Sequence, residues 1–182
     1  MRIYIALLRG INVGGNNIVK MTELVACFEK LGFVGVVTYI QSGNVVFQSE
    51  ERRAEQLVVL IEKQLIQNFG REIPVVVISL QELREAVEEA PRGFGKKPEE
   101  YRYDVIFLKP ALSADDVIEK VPVNPDVDQV WSGKRVVYYS RLIALSTKSR
   151  MSKIVSMPMY KNMTIRNWKT TISLLALAES KM

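Results

Sequence analysis

The feature that most constrains this chain occurs twice: a β-branched, aromatic run beside Ser-Gly, as QSGNVVF at 41–47 and WSGKRVVY at 131–138. A glycine open to positive φ between two such runs predicts tight antiparallel hairpins turning at Ser42-Gly43 and Ser132-Gly133. The surroundings of the first hairpin then select a topology. IYIALL (3–8) reads as a strand. Thr22 is a plausible cap for a helix whose Leu24, Cys27, Phe28 and Leu31 recur at three- and four-residue spacing, and Gly32 ends it. Beyond the hairpin, a helix from about Ser49 to Phe69 aligns Leu57, Ile61, Leu65 and Phe69, and IPVVVIS (73–79) is a buried strand. The order β-α-β-β-α-β is that of a ferredoxin-like fold.

Ser79 and Glu82 form a capping box before a helix that turns Leu80, Leu83, Val87 and Ala90 inward. PRGFGKKPEE (91–100) is the best candidate linker. After it come a strand YDVIFL (103–108), a short helix from Ser113 to about Lys120, and strands DQVW (128–131) and RVVYYS (135–140). A basic helix follows near 147–156, Pro158 breaks it, and a last helix from about Ile165 to Ala178 is capped by Thr164. The fold class is therefore α+β with two related halves. The first half is ferredoxin-like (βαββαβ, 1–90). A linker loop (91–101) joins it to a shorter βαββα unit with a C-terminal helix (102–182).

Residue counts exclude several chemistries. There is no histidine, which removes Ser-His-Asp and Cys-His catalysis and imidazole-based zinc sites. The one cysteine, Cys27, lies in line with Leu24, Phe28 and Leu31 and reads as a core thiol; no disulfide can form within the chain. No cofactor is expected. The apolar run Ile3 to Leu8 is too short for a signal peptide or membrane span, which points to a cytoplasmic protein with no membrane partner. The net charge of +5 is uneven: Lys/Arg against Asp/Glu is eight to seven in 1–79, seven to twelve in 80–131, and ten to one in 132–182. That last segment is a candidate surface for nucleic acid, and otherwise a solvated basic face.

In a ferredoxin-like sheet the first and second strands run the same way, so RGINVGGNN (9–17) should sit beside Ser42, Gly43 and Asn44. Gly14 and Gly15 can turn backbone N–H groups toward an anion, Arg9 offers a bidentate donor, and Asn12, Asn16, Asn17 and Asn44 both donate and accept. Neither a Walker loop nor a dinucleotide fingerprint fits: Gly10-x4-Gly15 is followed by Asn16-Asn17, and the spacing Gly10, Gly14, Gly15 is wrong. The alternative is a loop that only turns the chain. At the C-terminus, Arg166 and Asn167 in TIRNW form a second candidate anion site.

YIALLRGINVGGNNIVKMTEL (4–24), TYIQSGNVVF (38–47) and TIRNWKTT (164–171) together resemble the bacterial family of domain of unknown function 1697. The resemblance implies an α+β fold and adds weight to Arg9–Gly15, Ser42–Asn44, Thr164, Arg166, Asn167 and Trp168, but brings no activity, substrate or cofactor. Three functions stay open: recognition of a small anionic ligand or nucleic acid at these loops, a structural or interaction module, and a histidine-free enzyme.

Overall fold

A computed structural model describes residues 1–15, 17–51 and 53–182. The chain forms two compact units, Met1–Leu83 with Ser173–Met182, and Arg84–Ile172. In the first unit the order is β1 (Arg2–Leu8), α1 (Met21–Glu29), β2 (Val34–Tyr39), β3 (Asn44–Ser49), α2 (Ala54–Phe69) and β4 (Val75–Ser79). The strands form one sheet in the order β2-β3-β1-β4, antiparallel at each contact. Strand β1 is central, and alternate residues explain why: Tyr4, Ala6 and Leu8 join Leu24, Cys27 and Phe28 of α1 and Leu57, Ile61 and Leu65 of α2 in one core, so both helices lie on that face. Ile5 and Leu7, pointing the other way, are equally buried. Phe47 anchors the core, with ring centroids 4.5 Å from Phe33 and 5.4 Å from Phe28. Burial pushes the Cys27 thiol up to about 11, as an inert core thiol requires.

The helix ends refine the sequence expectations. Helix α1 is flanked by Lys20 with no side-chain cap, so Thr22 lies inside it and does not cap it. Helix α2 begins at Ala54 and stops at left-handed Gly70, whose N–H bonds to the Ile66 carbonyl. The capping box forms as expected: the Ser79 N–H donates to Glu82 Oε2 at 2.7 Å, and the Glu82 N–H donates to Ser79 Oγ at 3.2 Å. It opens α3 (Leu80–Glu88).

The second unit contains β5 (Tyr101–Leu108), α4 (Ala114–Lys120), β6 (Asp128–Gly133), β7 (Val136–Leu142) and β8 (Met163–Asn167), and α5 (Trp168–Glu179) follows. Its sheet order, β6-β7-β5-β8, reproduces that of the first. Matching backbone bonds sharpen the likeness: Leu8 N–H donates to the Gly43 carbonyl and Leu108 N–H to that of Arg135, while Arg9 N–H donates to Pro74 and Lys109 N–H to Asn162.

Three expectations are corrected in detail. Residues 163–167 are a strand, because Met163 and Ile165 face the core while Thr164 and Arg166 face away; the last helix starts at Trp168, and Thr164 does not cap it. The basic segment is three short 3-10 turns (Ile143–Lys148, Met151–Ser156, Pro158–Asn162) in place of an α-helix. The hairpin turns also differ: Tyr39 pairs with Asn44 across a four-residue loop, and Gly133 pairs with Val136 across Lys134-Arg135.

Candidate functional site

Because β1 and β2 both run antiparallel to β3, the loop leaving β1 and the turn leaving β2 emerge at one end of the sheet. The Leu8 N–H donates to the Gly43 carbonyl at 2.8 Å. Gly43 is itself buried at φ +77, and a Cβ there would lie 2.8 Å from Leu8 Cβ and 2.9 Å from Ile11 Cδ1. Only glycine fits that approach.

Asparagines hold the two loops in shape. The Asn12 side chain accepts from the Val19 N–H at 2.8 Å and donates to the Val19 and Gln41 carbonyls at 3.0 and 2.8 Å. It thereby ties the first loop to itself and to the hairpin turn. Asn17 donates to the Gly10 carbonyl at 3.0 Å and accepts from Arg71 Nη1 at 2.7 Å. Asn44 is wholly buried and donates to the Tyr39 carbonyl and Ser42 Oγ. Asn44 thus shapes the turn from beneath, with no surface for contact.

What faces solvent is a smaller set. Arg9 is half-buried, Ser42 is exposed, and the exposed Gly14 and Gly15 both have positive φ. Three aliphatic side chains stand out around them, Val13 at 66%, Ile18 at 72% and Ile40 at 51% exposed. Ile40 also has φ +49, a conformation costly for a β-branched residue. Asn16 lies outside the described residues.

Arg166 and Asn167 belong to the second unit. Arg166 is buried on β8, donates from Nη1 to Thr164 Oγ1 and the Ile165 carbonyl, and burial lowers its pKa to about 10, with Tyr160 opposing the shift. Asn167 donates to the Tyr103 carbonyl at 3.1 Å and accepts from the Lys169 N–H at 3.0 Å, so Asn167 is the residue that caps α5. Among the described residues no group of three His, Cys, Asp or Glu could hold a metal ion, and no helix is long and apolar enough to cross a membrane.

The model of the family described as "Protein of unknown function (DUF1697)" matches residues 1–138. The chain belongs to that family. This DUF1697 chain is similar to a conserved bacterial protein of solved structure, SP0830 from Streptococcus pneumoniae; the two are 28% identical, with 97% of this chain and 98% of that one covered and a TM-score of 0.83. No curated protein matches the chain. Within DUF1697 the matched region holds both loops of the first unit, and its bacterial relative shares the whole fold. Ile40 and Arg71, which also shape the candidate site, carry no signal in the sequence. Backbone angle and cross-chain pairing leave no local signature.

Proposed function

We propose that this protein binds a small anionic ligand, a nucleotide or phosphorylated metabolite, at the Arg9–Asn17 loop and the Ser42–Asn44 turn. Arg9 supplies the charge, Ser42 and the Gly14-Gly15 backbone supply hydrogen bonds, and Asn12, Asn17 and Asn44 hold the loops in place. The observation that carries this reading is Ile40. A β-branched residue at positive φ costs about 1–3 kcal/mol and persists only where its surroundings over-determine it. Here it stands exposed beside the Gln41 carbonyl that Asn12 holds. An irregular surface loop fixed by so many side-chain bonds exceeds what a simple chain reversal needs, and pre-organisation of this kind raises ligand affinity.

The test is a thermal-shift screen with ATP, ribose 5-phosphate and related phosphate esters. A ligand at about a hundred times its Kd adds about 2.7 kcal/mol of stability. Arg9→Ala should leave the ligand-free protein folded and remove most of that shift. If Arg9→Ala unfolds the protein, or no compound shifts the wild type, the loops are structural supports only.

A further inference from the structure

The second sheet carries a different kind of surface. On its face turned away from α4, Tyr103, Ser140 and Gln129 form one row across three strands, and Val105, Tyr138 and Trp131 the next. The loop 91–100 lays Phe94 on this face, edge-on to Tyr103 at 4.8 Å, Tyr138 at 5.3 Å, Trp131 at 5.9 Å and Trp168 at 5.1 Å. Gly95 is what allows the loop so close: a Cβ there would collide with the Trp168 indole. Phe94, Tyr103 and Tyr138 are buried and make a small aromatic core. Beside them a cavity of about 240 Å³ stays open, and its accessible walls are Tyr101, Trp131, Gln129, Arg92 and Lys97.

Packing accounts for only part of those five, through Trp131 against Phe94 and Tyr101 against Tyr103 at 6.0 Å. Tyr101 and Trp131 are only half-buried, while Gln129, Arg92 and Lys97 are exposed. Aromatic rings with accessible surface stack on any nucleobase, and a neighbouring amide side chain can hydrogen-bond a base edge. The two cations suit a phosphate. Lys97 is paired with Glu100 at 3.2 Å, an exposed contact that is worth little and is readily exchanged. The volume falls below the roughly 300–1,000 Å³ of a drug-sized site, which suits one ring system and not two.

We propose that this cavity is a nucleotide site: one base stacked against Trp131 and Tyr101, its edge met by Gln129, its phosphate directed to Arg92 and Lys97. It lies within the second unit and is independent of the loop site of the first. A free mononucleotide and one residue of single-stranded RNA present the same chemistry, so the probes separate them.

Calorimetry on the full chain would compare AMP, adenosine, ribose 5-phosphate and a short single-stranded oligoadenylate. AMP should bind more tightly than either of its parts, because base and phosphate both contribute. Tighter binding of the oligonucleotide than of AMP assigns the site to RNA, and the reverse assigns it to a free nucleotide. Trp131→Ala should weaken the better probe about tenfold or more, the scale of one lost base–aromatic stack, while Trp131→Phe keeps most of the affinity. Should Trp131→Ala fail to fold, Gln129→Ala with Lys97→Ala, both at exposed positions, decides: it should weaken binding at least about threefold. Failure of both AMP and the oligonucleotide to bind overturns the proposal. So does affinity that survives these substitutions.

Discussion

Single residues carry much of the first unit's geometry, and Gly43 is the clearest. It combines positive φ with van der Waals contact against Leu8 and Ile11, so the cost of a methyl group is both torsional and steric. Gly43→Ala should lower stability by at least about 2 kcal/mol, read from urea unfolding, since left-handed backbone and overpacking each cost about 1–2 kcal/mol or more. Ile40 presents the opposite case. Its side chain is half exposed while its backbone is strained, so Ile40→Asn gives up little packing and accepts the φ more readily. A gain of about 0.5–1 kcal/mol is expected, or about 1–4 °C in Tm for a chain of this size. A fall in Tm would show that the Ile40 side chain holds the turn in place. The asparagines illustrate how far residue type alone can be read. Their abundance in RGINVGGNN marks a loop with left-handed angles, and Asn12 and Asn17 do take φ near +55. Their use to tie one loop to another depends on partners far along the chain, such as Gln41 and Arg71.

Among the elements, the second unit replaces a helix with three 3-10 turns, and Asp128 at the start of β6 is what fastens them. Its Oδ2 accepts from the Asn124 N–H and the Arg150 N–H, both at 2.9 Å. Burial by itself would raise the Asp128 pKa, but the Arg150 N–H, the Ser149 hydroxyl and the Asn124 N–H outweigh it and lower the value. Asp104 on β5 goes the other way: burial raises its pKa despite Arg102 and Arg141 at 3.5 and 3.8 Å. The signs differ accordingly. Asp128 stabilises the fold above its unfolded value of about 3.9, and that contribution disappears as pH falls through the lower folded value. Asp104 favours the fold progressively as pH falls through its raised folded value, because burial disfavours its charge. Asp128→Asn should therefore cost about 1–3 kcal/mol at neutral pH, the range for hydrogen bonds to a charged acceptor. The deficit should shrink below about pH 4 in urea titrations at stepped pH. A deficit independent of pH would mean that the charge of Asp128 does not matter.

At the scale of the whole molecule, the first unit is discontinuous: it takes its last ten residues, Ser173–Met182, from the far end of the chain. Leu174 and Ala178 within them are fully buried, and Gln48 of β3 donates to the Lys181 carbonyl at 3.2 Å. A chain ending at Ile172 should lose about 3–5 kcal/mol, comparable to emptying a buried leucine site, visible as a lower midpoint in chemical unfolding. Unchanged stability would mean that the tail only rests on the unit. The charge pattern belongs to this scale as well. Ten Lys/Arg against one Glu in 132–182 are spread from the turn before β7 through β7, the 3-10 segment, β8 and α5 to Lys181 beyond it, and Arg166 among them is buried.

The sequence alone determined the α+β class, the βαββαβ order of the first unit, the capping box and the meeting of the two loops. Each depends on local periodicity or on a rule of strand direction, and both are written in neighbouring residues. The echo between QSGNVVF and WSGKRVVY pointed to the right hairpins but in the wrong register, since Asn44 pairs with Leu7 where Val136 pairs with Phe107. Hairpin loop length decides that register, and it is four residues in the first hairpin and two, Lys134-Arg135, in the second. Only the tertiary structure decided that MTIRN is a strand, because a five-residue alternation is too short to outweigh the helix that follows it. It also decided which polar side chains face inward and which aromatic rings stay open to solvent. Those outcomes depend on partners dozens of residues away, and burial is set by what the rest of the chain brings alongside.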